Sequence, residues 1–205
     1  MTDTPPTSTR DLILHEATTL FLERGYHGIS MREIAARVGV SKASLYYHFR
    51  DKEQLFLAIL HANIDLITNI VDRARQEPTT RQQIRRMLFD LAQQAPRQHA
   101  MIRLASQEIG NLSPAARQTF VQHYHSHFIH TITAMLQAGI DAGELKVMDA
   151  RQATWLLLGM MYPFLYPRHA DAAGSLSDAV ALIADIFFDG AAAPPAVDEA
   201  GEETA

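Results

Sequence analysis

Apolar residues recur along most of this chain at intervals of three and four, the spacing of one helix face. Ser8 with Asp11 three on predicts a capped helix start, followed by Ile13, Ala17, Leu20 and Phe21 at that spacing, with Gly25 as the stop. Ser30-Met31-Arg32-Glu33 is a capping box, in which the Ser hydroxyl bonds the Glu amide and the Glu carboxylate reaches back. Ile34, Ala35 and Val38 give that second helix a short apolar face, and Gly39 closes it. Ser41 caps a third short helix to about Arg50, and Asp51 with Gln54 opens a long fourth that ends before Pro78. Ile84, Met87, Leu88 and Leu91 mark a fifth, and a segment after Pro96 runs to about Ile109. Ser113-Pro114 is an N-cap with Pro at the first helical position, opening a long helix to about Ala142. Asp149 caps a helix that is apolar almost all round, and Ser175 or Ser177 caps a last one ended by Gly190. No pair of strand-like runs is joined by a hairpin turn and no internal repeat is present. The expected fold is all-α, with about nine helices.

Composition narrows the classes of function. The 205 residues include no cysteine, which excludes a disulfide scaffold, thiol catalysis and a Cys-ligated metal site. The polar start, Met1 to Arg10, carries no signal-peptide pattern, and the most apolar stretch, Ala153 to Tyr166, is too short to span a bilayer as a helix. A soluble cytoplasmic protein without membrane contact is therefore expected. Net charge is -5, but residues 1–52 hold seven Lys/Arg against six Asp/Glu, so the acidity lies further along. Part of it falls in residues 191–205, an Ala/Pro-rich acidic tail expected to be disordered.

The stretch from Ser30 to Lys52 points to a function. Two short helices joined by Val38-Gly39-Val40 make a helix-turn-helix, whose second helix can enter a major groove. That second helix is crowded with Lys42, Ser44, Tyr46, Tyr47 and His48, while Leu45 and Phe49, at i and i+4, anchor it on the core. Phosphates take cations and hydroxyls, and base edges take short polar groups and methyl contacts. Together Gly25-Tyr26, Ser30 to Ala35, Val38 to Ser41, Leu45 to Phe49 and Asp51 to Phe56 resemble the DNA-binding domain of TetR-family transcriptional regulators over residues 8–68.

The resemblance implies a dimeric, repressor-like regulator released from a palindromic operator by a small ligand. It implies DNA contacts from Arg32, from Lys42, Ala43 and Ser44 at the leading edge of the recognition helix, from Tyr46, Tyr47 and His48, and from Lys52 at the backbone. Residues 69–190 then form the effector-binding and dimerisation domain, with the homodimer made by helices near 150–166 and 176–189. A largely apolar cavity is expected between the fourth helix and Phe89, Met101, Leu104, Tyr124, Phe128, Leu158, Met161 and Tyr162. A long-chain acyl compound is the favoured effector, and no cofactor is expected.

Other features support weaker readings. His15-Glu16 starts a zinc-protease pattern but Thr19 stands where the second ligand belongs, and no nucleophile elbow or phosphate loop appears, so the chain is not expected to be an enzyme. His123, His127 and His130 share a helix face, which makes a metal-sensing regulator one alternative. A helical regulator working through a protein partner is another. Pro163, amid Met160, Met161, Tyr162, Phe164 and Tyr166, is expected to bend the helix that contains it.

Overall fold

The computed structural model describes residues 8–165 and 176–191. Ser175, Tyr166 and, from 192 onward, the tail expected at 191–205 lie outside the described residues, while Ala191 still belongs to the last helix. Within them the chain is all helical: α1 (Thr9–Arg24), α2 (Met31–Val38), α3 (Lys42–His48), α4 (Lys52–Ala74), α5 (Thr80–Ala92), α6 (Pro96–Glu108), α7 (Pro114–His123), α8 (His130–Asp141), α9 (Ala150–Met161) and α10 (Leu176–Ala191). A π-helical turn, Tyr124–Ile129, joins α7 to α8 without a break, so among the described residues there are nine helical rods.

The caps form as the sequence predicts. The side chains of Ser8, Ser30, Ser41, Asp51, Ser113 and Asp149 each accept the amide proton three residues on. The Ser30–Glu33 box is reciprocal, with the Ser30 amide donating to Glu33 Oε2 at 2.8 Å. Gly39 ends α2 at φ +77°, a left-handed conformation that a side chain would strain. Two elements depart from expectation. The rod from Pro114 to Asp141 carries the π-helical turn, where Ser126 Oγ and His127 Nδ1 reach back to the carbonyls of Gln122 and His123. Pro163 does not bend a continuing helix. Having no amide proton and a ring that clashes with the preceding turn, it stops α9 at Met161, and a 3₁₀ turn, Tyr162–Leu165, follows.

Burial divides into two clusters threaded by α4. Ile13, Ala17, Phe21, Ile34, Leu45, Phe49, Leu55 and Phe56 form the first, which also takes Met101 and Leu104 from α6 and Leu112 and Ala116 from the start of α7. The second gathers Ile64, Ile67 and Val71 of α4 with α5, α8, α9 and α10. The hand-over along α4 falls between Leu60 and Ile64. By length and apolarity α4 passes as a membrane span, yet it is the central helix of the bundle and packs on its neighbours.

Candidate DNA interface and effector cavity

α3 is seven residues long and is held from below. Leu45 and Phe49 are buried in the first cluster, which fixes which face looks outward. Lys42, Ala43, Tyr46 and Tyr47 are exposed, and Ser44 and His48 are partly so. Tyr47 is 86% exposed, so its ring is held outside the core. Lys42 Nζ lies 5.6 Å from the centre of the Tyr46 ring, a cation–π contact on the exposed face. Arg32, the second residue of α2, is exposed and forms no ion pair among the described residues. By contrast, the arginines flanking it are tied back, Arg24 to Glu33 at 2.8 Å and Arg37 to Glu16 at 3.0 Å, and these bonds brace α1 against α2.

Lys52 differs from what the resemblance implies. Its ammonium turns inward and donates to the carbonyls of Tyr26 (2.8 Å) and Ile29 (2.9 Å), and it sits 4.5 Å from the centre of the Tyr26 ring. Burial pushes its pKa down, while Glu108 and Glu33 nearby oppose that shift. Two of its three protons thus hold the α1–α2 loop, and the group is a clamp rather than an outward phosphate ligand.

A two-lobed cavity lies where α4, α6, the π-helical turn and α9 meet. The larger lobe, about 170 Å³, is walled by Leu60, Asn63 and Ile64 of α4, by Ile102, Ala105, Ser106 and Ile109, and by Phe120. The smaller, about 120 Å³, is walled by Leu91, Gln94, Phe128, Leu158 and Met161. Ile67, Ile102, Tyr124 and Tyr162 belong to both lobes and form the waist between them. Burial, and Tyr162 beside it, raise the Tyr124 phenol to about 12, so it stays protonated and can donate a hydrogen bond into the cavity.

Five of the eight residues expected at the cavity are there: Tyr124, Phe128, Leu158, Met161 and Tyr162. The other three are not. Met101 and Leu104 point to the opposite side of α6 and are buried in the first cluster, and Phe89 faces outward, 46% exposed. α6 is apolar on two faces, so its periodicity alone could not say which met the cavity; Ile102 and Ala105 do, with Ile109 just beyond its end.

The histidine face also differs from the simple i, i+4, i+7 reading. His123 stacks between His127 (ring centres 4.0 Å apart) and His61 of α4 (4.3 Å), and its Nε2 lies 2.8 Å from Asp65 Oδ1. His130 lies beyond the π-helical turn and is exposed. Among the described residues no three histidine or acidic side chains converge as a metal site, so the alternative built on His123, His127 and His130 is not formed.

A helix-turn-helix with a polar, exposed second helix, joined by one long helix to an apolar cavity, defines a DNA-binding regulator. Residues 13–59 match the model for bacterial regulatory proteins of the tetR family, and residues 77–163 match that for the tetracyclin repressor-like C-terminal domain. The chain belongs to the TetR family of transcriptional regulators. The transcriptional activator FasR of Mycolicibacterium smegmatis is 40% identical over 82 residues, 40% of this chain but only 37% of that relative's length. The repressor KstR2 of the same organism is 29% identical over 147 residues, 70% of this chain and 72% of its own. In fold, the chain is similar to FadR of Bacillus subtilis, solved in complex with stearoyl-CoA: TM-score 0.71 at 19% identity, covering 87% of this chain and 97% of that one.

Proposed function

We propose that this chain is a homodimeric repressor that binds a palindromic operator through α3 and leaves it when a small lipophilic effector fills the two-lobed cavity. The observation that carries the DNA half is the exposed face of α3. A lysine laid along one tyrosine and a second tyrosine almost wholly in solvent have no packing reason to be there, whereas phosphates and thymine methyls suit them. Arg32, Lys42, Ala43, Ser44, Tyr46, Tyr47 and His48 are the proposed contacts, and Lys52 supports them from behind.

For the effector, the chemistry of the walls supports an apolar ligand. None of the described lining residues is charged, so an ionised group buried there would have no counter-charge. The buried part of the ligand is therefore neutral, with Tyr124 and Tyr162 at the waist to hydrogen-bond it. An acyl chain linked to a head group that stays outside fits this, and FadR, with its stearoyl-CoA, is a precedent for that class. On the second half, α9 and α10 leave Trp155, Leu156, Leu182 and Ile186 exposed, an apolar surface suited to a second copy.

Selection of binding sites from random DNA, followed by gel-shift titration, tests this reading. Inverted repeats with half-site centres about 34–36 Å apart are expected. Ser44→Ala is expected to change the preferred half-site base, while acyl-CoA added to the complex releases the DNA. Equal affinity for selected and random DNA would overturn the proposal.

A further inference from the structure

From the geometry we infer that Glu108 is the positioning residue that links effector binding to the DNA-binding domain, an inference that rests on the proposed function above. Glu108 is the last residue of α6 and follows directly on the cavity wall made by Ile102, Ala105 and Ser106, with Ile109 next to it. Its side chain turns away from the cavity and reaches the loop between α1 and α2. There Oε1 accepts the Tyr26 amide proton at 3.2 Å, across 82 positions of sequence, while Oε2 accepts from Asn111 Nδ2 at 2.7 Å and so is held in place.

The receiving side is built to match. Gly25 has φ +71°, and a Cβ there would sit 3.1 Å from Glu108 Oε1, so the glycine both makes the turn and leaves room for the carboxylate. The carbonyl of the same Tyr26 is held by Lys52, which also holds Ile29, the residue before the Ser30 cap of α2. One peptide segment, Gly25 to Ser30, is thus gripped by α4 through Lys52 and by α6 through Glu108, and it sets where α2 and the recognition helix begin.

A ligand entering the larger lobe bears on α4 and α6 together. Displacing the C-terminal end of α6 moves Glu108 off the Tyr26 amide, while the α4 grip remains. The segment then turns about Lys52, and the recognition helices lose the spacing that fits the operator. Glu108 touches neither DNA nor ligand. It makes the ligand's preference for one position of α6 felt at α2, as coupling between sites requires.

The test uses the full-length protein, its selected operator, and octanoyl-CoA and palmitoyl-CoA as probes. In the wild type, the probe that releases DNA is expected also to speed hydrogen exchange at the Tyr26 amide. Glu108→Ala is expected to weaken operator binding several-fold without any probe and to bind the probe as the wild type does. Its DNA affinity is then expected to change less than two-fold when the probe is added, against about 5–150-fold for an ordinary allosteric coupling. Glu108→Gln, which keeps an acceptor oxygen, is expected to restore most of the response, an outcome a purely structural loss would not give. Undiminished release from Glu108→Ala, or a Tyr26 amide indifferent to the probe, overturns the role of Glu108 alone. A wild type that neither probe releases overturns the acyl effector as well.

Discussion

Tyr47 and Lys52 stand five positions apart and show opposite relations between a residue type and its role. The tyrosine is almost wholly exposed, so removing it takes little from the fold. Tyr47→Ala is expected to leave stability within about 0.5 kcal/mol of the wild type and to weaken operator binding about ten-fold, measured by urea unfolding and fluorescence anisotropy side by side. Lys52 gives two charge-assisted hydrogen bonds to loop carbonyls. Lys52→Met keeps the aliphatic stem but strands those carbonyls, and is expected to cost about 1–3 kcal/mol of stability as well as DNA affinity on every sequence. An unchanged urea midpoint would show that the ammonium is a spare, solvated group. The identity of both residues could be read from the Tyr-Tyr-His-Phe run and its following lysine. The direction of Lys52 could not, because it depends on carbonyls brought near by the α1–α2 loop more than twenty residues earlier.

Among the elements, those with explicit punctuation were legible. Every expected cap that falls within the described side chains, from Ser8 to Asp149, marks a real start, because a side-chain oxygen three residues before a free amide is a local interaction. The faces of α6 and the π-helical turn were not legible, because both depend on what packs against them. That turn brings His123 and His127 onto His61, whose Nε2 is buried without a hydrogen-bond partner among the described residues. Burial first, and then His123 and His127, hold the His61 pKa below its ordinary 6.5, with Asp65 opposing. The unfolded chain takes up a proton near pH 6.5 and the folded one resists it, so stability is full above that pH and falls as acid carries the protein toward the lower folded pKa. A thermal midpoint lower at pH 5.5 than at 7.5 is expected, with the difference reduced in His61→Leu. Identical pH profiles for the two proteins would assign the acid sensitivity elsewhere.

At the level of the whole molecule, the expected dimer rests on side chains that the monomer leaves in water. Leu182→Glu and Ile186→Glu, both at exposed positions of α10, are expected to give folded monomers in analytical ultracentrifugation at micromolar concentration and to lose operator binding. A wild type that sediments as a monomer would refute the assignment. The hand-over of the core along α4, between Leu60 and Ile64, has a further consequence for engineering and descent. A graft made at that point, in the middle of a helix, leaves the second cluster whole but parts the first from Met101, Leu104, Leu112 and Ala116, so a recognition half from one regulator could be joined to a sensing half from another only where those side chains fit. The junction would work only if the donor of the sensing half also brought partners for what crosses it: Glu108 for the Tyr26 amide, and Ser113 for Glu53, which accepts from both its amide (2.7 Å) and its hydroxyl (2.8 Å). Chimeras that keep these pairs are expected to obey a new inducer at an old operator. Those that lose them should bind DNA and inducer separately, each deaf to the other.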